Sequence, residues 1–516
     1  MGTKKRLWRY MVAAGAVAGI GSLAAWAIVT DLTLVRQLHS PMAEHIGQSD
    51  FTNMVKAGDR AGAFEAAFEH GDGLFATAFN AIDGGGANVG QGLRYTRVPR
   101  ADLAGTGQWH NHTPKRETGP NAAACASCHR QPTEDGAGTP ADMAVRDPGH
   151  TGRLNAMITR DTPHLFGLGA TQRLAEEMTT ILLANKIAAI AQARSGGANV
   201  TRDLVAKGVN FGQIIAHPDG SVDNSRIRGV STDLIVRPFQ WKGSVAFVRD
   251  FVRGAMHNEL GVQPVELAGD NVDGDGDGVV NEALFGDVTG LTIYQAAQPR
   301  PVTAVELAAL GLIPALTATE ASAIQRGSDV FRAAQCATCH VPSMTLESNI
   351  FAEPSRNPLY RDARMPAGQD PVARGLDPQF PITFDLTRDH PDNRIEDANG
   401  NVIKRLGDFD RDGNGRAIVR LYGDLKRHDM GPGLAESIDE VGTGASVWMT
   451  RNLWGVGATA PYLHDGRATT LTEAILEHGG EAAASRNAFN LLSDASKKDL
   501  IAFLNSLTLF KQPEQD

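Results

Sequence analysis

All four cysteines of the chain fall in one pattern that occurs twice: Cys125-Ala126-Ser127-Cys128-His129 and Cys336-Ala337-Thr338-Cys339-His340. C-x-x-C-H is the attachment signature of c-type haem. The two thiols form thioether links to the haem vinyl groups, and the two-residue gap sets both sulfurs beneath one porphyrin edge. The adjoining histidine then reaches the iron as its proximal ligand. His129 and His340 are the expected ligands of two irons, with Cys125, Cys128, Cys336 and Cys339 as the attachment points.

A zinc site built from two C-x-x-C knuckles is the competing reading. Zinc ribbons keep their knuckles about 15–20 residues apart, whereas these begin at positions 125 and 336. Disulfide staples are not expected in a chain long enough to bury a sizeable core.

Carboxylates form a second kind of cluster. Asp273-Gly274-Asp275-Gly276-Asp277-Gly278, followed by Asn281-Glu282, opens like an EF-hand calcium loop. Alternating aspartates direct several hard oxygens at one Ca²⁺. Position twelve of the loop is Leu284 rather than glutamate, which leaves Glu282 as the substitute ligand. A second run, Asp408, Asp410 and Asp412 before Gly413 and Asn414, has the same look and the same defect at Val419. The alternative for both is a polar surface turn.

These groups must be positioned by a chain of 516 residues, long enough for two or three domains. A hydrophobic content of 42% supports globular cores, and a net charge of −10 excludes a general attraction to nucleic acid. With 56 glycines and 25 prolines, long loops between short helices are expected. Lys4, Lys5, Arg6 and Arg9 precede an uncharged stretch from Met11 to Val29. Ala25-Trp26-Ala27 is a small-x-small cleavage site, but the stretch is also long enough to span a bilayer. Residues 1–30 are therefore a signal peptide or a membrane anchor, and either places the body outside the cytoplasm. A periplasmic location, or the outer face of the inner membrane, follows.

Helical spacing of apolar residues marks Ala61–Phe79, interrupted at Gly71, then Thr171–Ala193 and Ser244–Met256. It continues in Val302–Leu310 and in Ala321–Ala334, which leads into the second C-x-x-C-H, and ends in Leu471–His478 and Asp494–Leu507. Pro299-Arg300-Pro301 breaks the chain between them. The expected fold is mainly α, with two cytochrome c-like domains at 31–300 and 301–516 and long loops in each.

Several motifs point further. Leu453-Trp454-Gly455-Val456-Gly457 runs on through Pro461-Tyr462-Leu463-His464-Asp465-Gly466-Arg467 to Leu471-Thr472-Glu473-Ala474 and His478-Gly479-Gly480-Glu481. Together with Phe166-Gly167-Leu168-Gly169, Trp241-Lys242 and His428-Asp429-Met430-Gly431-Pro432-Gly433, this resembles the di-haem oxidoreductase family, sometimes labelled thiol oxidoreductases. That family is similar to the bacterial di-haem cytochrome c peroxidases. The resemblance runs from about residue 60 to the end. It implies two facing haem domains, one relaying electrons and one meeting the oxidant, and calcium near their interface.

The resemblance also suggests further ligands. The distal ligand of the second haem would lie beyond the Pro461–Gly466 segment, at His478, with Met430 as the rival. For the first haem, His150 is the nearest following histidine and His164 the alternative; His110 and His112 are further candidates, and an open position is the remaining one. Peroxide cleavage needs a base to move a proton between oxygens. Glu176 and Glu177 follow the Phe166–Gly169 segment and are the candidates, unless they are solvated helix glutamates. Trp241 is either a stepping-stone between haems or an ordinary packed tryptophan.

Three functions compete. The first is an exported di-haem oxidoreductase with peroxidase-like activity, fed by a small redox protein or a quinol-linked donor and acting on peroxide or a protein substrate. The second is a non-catalytic electron-transfer cytochrome with both irons fully ligated. The third is a haem-based redox sensor.

Overall fold

The computed structural model describes residues 40–88, 93–94, 115–116, 120–151, 153–388, 394–396, 401–406 and 408–511. The basic and apolar N-terminal segment, His110 and His112 lie outside the described residues. Among the described residues no helix is long and apolar enough to cross a membrane.

Helix accounts for 37% of the structure and strand for 13%. Helix predominates, as expected, but the fold is mixed. The helices that position the sites are α1 (Gln48–Lys56), α2 (Arg60–Ala76), α3 (Leu168–Gly196), α4 (Val248–Ala255) and α5 (Phe285–Ala296). They are followed by α6 (Ala318–Ala333), α7 (Leu471–Glu477), α8 (Ala483–Asn490) and α9 (Asp494–Ser506).

α2 starts at Asp59, whose side chain accepts from the Gly62 amide at 2.9 Å, an N-cap. The helix buries Ala63, Ala67, Phe68, Gly71, Leu74 and Phe75, a stripe at helical spacing. Gly71 does not interrupt it. Instead α2 crosses α5 there, and a Cβ on Gly71 would overlap the Gly290 carbonyl oxygen. Phe68, Phe75, Leu291 and Tyr294 pack at this crossing with Val252 of α4, and Phe351 and Phe384 join them from beyond residue 300.

α3 packs on an antiparallel sheet that the helical reading did not anticipate. Its strands are β1 (Val200–Ala206), β2 (Val209–Ala216) and β3 (Val222–Asp223). Lys207 and Gly208 both have positive φ, 47° and 81°, as a two-residue hairpin turn of the right twist requires. Leu204, Phe211 and Ile214 face Leu174, Met178 and Leu182 of α3 in a second core.

The C-terminal helices form a third core. α6 and α9 pack together with Gly327 against the backbone of Asp499, and Phe331, Leu500, Phe503 and Leu504 fill the contact. Leu507 and Thr508 then pair antiparallel with Thr303 and Val302, so the end of the chain returns to the point where its second half begins.

Candidate functional site

Both C-x-x-C-H motifs fold as the same turn. Cys125–Ser127 and Cys336–Thr338 are single 3₁₀ turns. The His129 amide donates to the Cys125 carbonyl at 3.2 Å, and His340 to Cys336 at 3.0 Å. Each turn brings two thiols and an imidazole onto the lining of a cavity of its own. The four thiols therefore line two different cavities in pairs, which removes the zinc reading.

The residues fit a haem at each place. Each pair of thiols and its imidazole stands among apolar side chains, such as Phe75, Phe166 and Leu168 in the first cavity and Phe331, Leu471 and Leu500 in the second. Burial pushes the Cys125 thiol up to about 12 and Cys336 to about 11. His129 pairs through Nδ1 with the Gly136 carbonyl at 3.1 Å, and His340 with that of Tyr422 at 3.2 Å. Such a contact fixes the tautomer and leaves Nε2 as the metal-directed nitrogen. Burial lowers both imidazoles to about 4, the neutral form that ligation needs.

In the second cavity His478 faces His340, with ring centroids 6.3 Å apart. His478 sits at the C-cap of α7, and its Nδ1 is held by the Ala474 carbonyl at 2.7 Å. Met430 lines the same cavity. So does His464 of the Pro461–Gly466 segment, stacked on Trp448 at 3.8 Å. Lys242 lies over the Trp448 ring at 3.6 Å and donates to the carbonyls of Gly444, Ala445 and Val447.

The first site departs from expectation. His150 lines neither cavity. The Pro148-Gly149 turn gives it a positive φ of 51°, and its Nδ1 meets the Arg116 carbonyl at 2.7 Å. His164 instead lines both cavities, with Nε2 bound to the Trp454 carbonyl at 2.9 Å and its buried Nδ1 without a hydrogen-bond partner. Glu176 and Glu177 line neither cavity, which corrects their reading as catalytic bases. Glu176 is buried on α3 between Arg173, Gln172 and Ser355. Glu177 binds Lys207 at 2.7 Å and accepts from the Glu347 and Ser348 amides. The carboxyls that do line the first cavity are Asp161, Glu259 and Glu440.

The cavities share a wall of Asp161, Pro163, His164, Trp241, Thr450, Arg451, Asn452 and Trp454. Trp241 Nε1 donates to the Asp161 carbonyl at 2.9 Å, and the Arg451 guanidinium lies 4.8 Å over the Trp241 ring. Gly167 opens α3 with φ 69°, and a Cβ there would stand 2.6 Å from the Trp454 ring. That close approach accounts for a glycine in the Phe166–Gly169 motif. Burial pushes Asp161 up to about 8, against the pull of Arg451. Nothing in the spacing of Asp161 or Arg451 marked them; the wall is assembled from distant segments.

The acidic loop also forms a cluster. One carboxylate oxygen from each of Asp273, Asp275 and Asp277 lies within 4.8 Å of the others. Burial, then Asp275 and Asp277, push Glu282 up to about 10, and its Oε1 has no hydrogen-bond partner. The second run closes on its own arginines: Asp408 on Arg411, Asp410 on Arg420 and Asp412 on Arg416.

Residues 411–507 match the family model described as "Di-haem oxidoreductase, putative peroxidase". No curated protein matches the chain. A solved structure, a MauG-like protein associated with microbial copper homeostasis, aligns with 64% of this chain and 88% of its own, at 16% identity and a TM-score of 0.27. The matched stretch, residues 411–507, supplies much of the second cavity's lining, so the similarity to di-haem oxidoreductases falls on that site.

Proposed function

We propose that the protein is an exported di-haem c-type oxidoreductase with peroxidase-like activity. Its observational basis is one C-x-x-C-H turn on each of two cavities that share a wall. In this reading haem c is bound covalently at Cys125 with Cys128 and at Cys336 with Cys339. His129 and His340 are the proximal ligands, in cytochrome c-like units at 31–300 and 301–516. The haems supply the redox and oxygen-bond chemistry when bound.

The chain's own residues divide the labour. His478, opposite His340, closes the second site, which suits an electron relay; Met430 is the alternative ligand. The first site takes peroxide or a protein substrate, and Asp161, raised by burial, is the carboxyl there that can hold or move a proton, while Glu440 is paired with Arg146 and Arg160. Trp241, in the shared wall, is the bridge between them. Electrons come from a small redox protein or a quinol-linked donor. Residues 1–30, as signal or anchor, export the body to the periplasm or the outer face of the inner membrane. A Ca²⁺ ion at Asp273, Asp275, Asp277 and Glu282 completes the reading. It is supported by the crowding of the buried Asp275, Asp277 and Glu282, each pushed up by burial, beside the exposed Asp273.

Stopped-flow mixing of the half-reduced protein with peroxide tests the activity. Rapid oxidation of both haems, lost on removal of His129, is expected. Oxidation no faster than that of a carrier cytochrome would leave an electron-transfer module, the reading that a closed second site favours.

A further inference from the structure

Behind His129 lies a buried polar cluster with no part in holding the haem. Tyr294 on α5 is fully buried and donates to Asp135 Oδ2 at 2.8 Å. Lys511, near the chain's end, donates to the same oxygen at 2.9 Å, to the Tyr294 hydroxyl at 3.0 Å and to Glu134 at 3.1 Å. Asp135 Oδ1 is buried without a hydrogen-bond partner. The Tyr294 ring stands 5.4 Å from Phe75, whose ring stands 6.1 Å from His129.

We propose that Tyr294, Asp135 and Lys511 form a proton-coupled oxidation site, in which Tyr294 yields one electron toward the first cavity while its phenolic proton passes to Asp135. This rests on the reading of that cavity as a peroxide-reducing haem site. Peroxide takes two electrons and two protons to become two waters: Tyr294 supplies one electron, the redox donor of the proposed function the other, and solvent water the protons. The Tyr294 O–H bond breaks, an O–H bond forms on Asp135 Oδ2, and Tyr294 is left as a neutral phenoxyl.

Three observations favour this over a merely structural cluster. Tyr360 and Tyr462 donate to the backbone carbonyls of Val236 and Val456, at 2.6 and 3.0 Å, which cannot take a proton. Tyr294 donates to a carboxylate, which can. Burial also raises the proton affinity of Asp135, despite Lys511 and Tyr294, and Glu134 raises it further. The charges agree as well. With Glu134 and Asp135 ionised against Lys511, the cluster carries an excess negative charge. Loss of an electron with retention of the proton removes that excess, which a low-dielectric interior favours. Asp72, itself pushed up by burial, adds to the excess when ionised. Lys511 remains to donate to the phenoxyl oxygen.

Freeze-quench electron paramagnetic resonance of the holoprotein mixed with peroxide tests this. A tyrosyl signal is expected, altered in shape by ring-deuterated tyrosine, and lost in both Tyr294→Phe and Asp135→Asn. Haem content is counted in each variant by pyridine haemochrome. A signal that persists in Tyr294→Phe overturns the proposal, as does a wild type whose haem bands respond to peroxide with no tyrosyl signal. If peroxide leaves the haem bands unchanged, the peroxidase reading fails instead. A flash-generated ruthenium(III) oxidant then supplies the missing electron acceptor, and the same comparison of wild type with Tyr294→Phe decides the role of Tyr294.

Discussion

His478 and Met430 both reach the second cavity, and they differ in what holds them. His478 is anchored by its own helix end with its ring toward His340, while Met430 sits on a loop between Asp429 and Gly431. His478→Gly is expected to turn the second haem from low-spin to high-spin, and Met430→Leu to leave it low-spin, as read by absorption and electron paramagnetic resonance spectra. The reverse pattern would give the ligand role to Met430. His428 makes a prediction in pH. Burial pulls its pKa down, but hydrogen bonds to Asp424 and Cys339 push it up, to about 10 overall. A histidine whose folded pKa is raised binds its proton more tightly in the native state. Its contribution is full below the ordinary 6.5 and is lost as pH rises through about 10. His428→Gln should therefore flatten the fall in unfolding midpoint across that window, measured by thermal melts of the haem-free chain, in which Cys339 keeps its thiol.

Elements carry these residues by close approach. Gly71→Ala forces α2 and α5 apart at Gly290 and is expected to cost about 1–3 kcal/mol in urea unfolding. An unchanged midpoint would show that the crossing relaxes. Much of this scaffold was legible: the helices at Leu168–Gly196, Ala318–Ala333 and Asp494–Ser506 lie within a few residues of their apolar periodicity. The β1–β2 hairpin was missed although Val200–Ala216 alternates around Lys207-Gly208, because no strand pattern was sought in a chain dominated by helical spacing. At the sites, the two C-x-x-C-H turns were legible because each is local, whereas the approach of His478 to His340 joins segments far apart in sequence. Glu176 was misread because sequence does not show that Arg173 and Ser355 already hold it. The shared wall stayed hidden because residues near 161, 241 and 451 meet only in the folded chain.

On the scale of the whole molecule, the two cavities have a common wall, so a change in one is expected to be felt in the other. Removing Cys125 and Cys128 should remove one haem by pyridine haemochrome assay and alter the spectrum of the other through Trp241 and Arg451; an unaltered second spectrum would mean that the wall isolates the sites. The acidic loop predicts a response to chelation. Terbium luminescence should report binding at Asp273–Glu282, and a chelator should lower the unfolding midpoint of the holoprotein, with Asp275→Asn blunting both effects. Lys511 has a consequence for how the protein is made. It joins Glu134 and Asp135, beside the first C-x-x-C-H turn, from 376 residues beyond Asp135. Synthesis runs from the N-terminus, so the first C-x-x-C-H turn emerges well before the lysine that its neighbouring carboxylates pair with. A ribosome that stops short of Lys511 releases a chain with both attachment motifs present and the carboxylates beside the first left without their lysine.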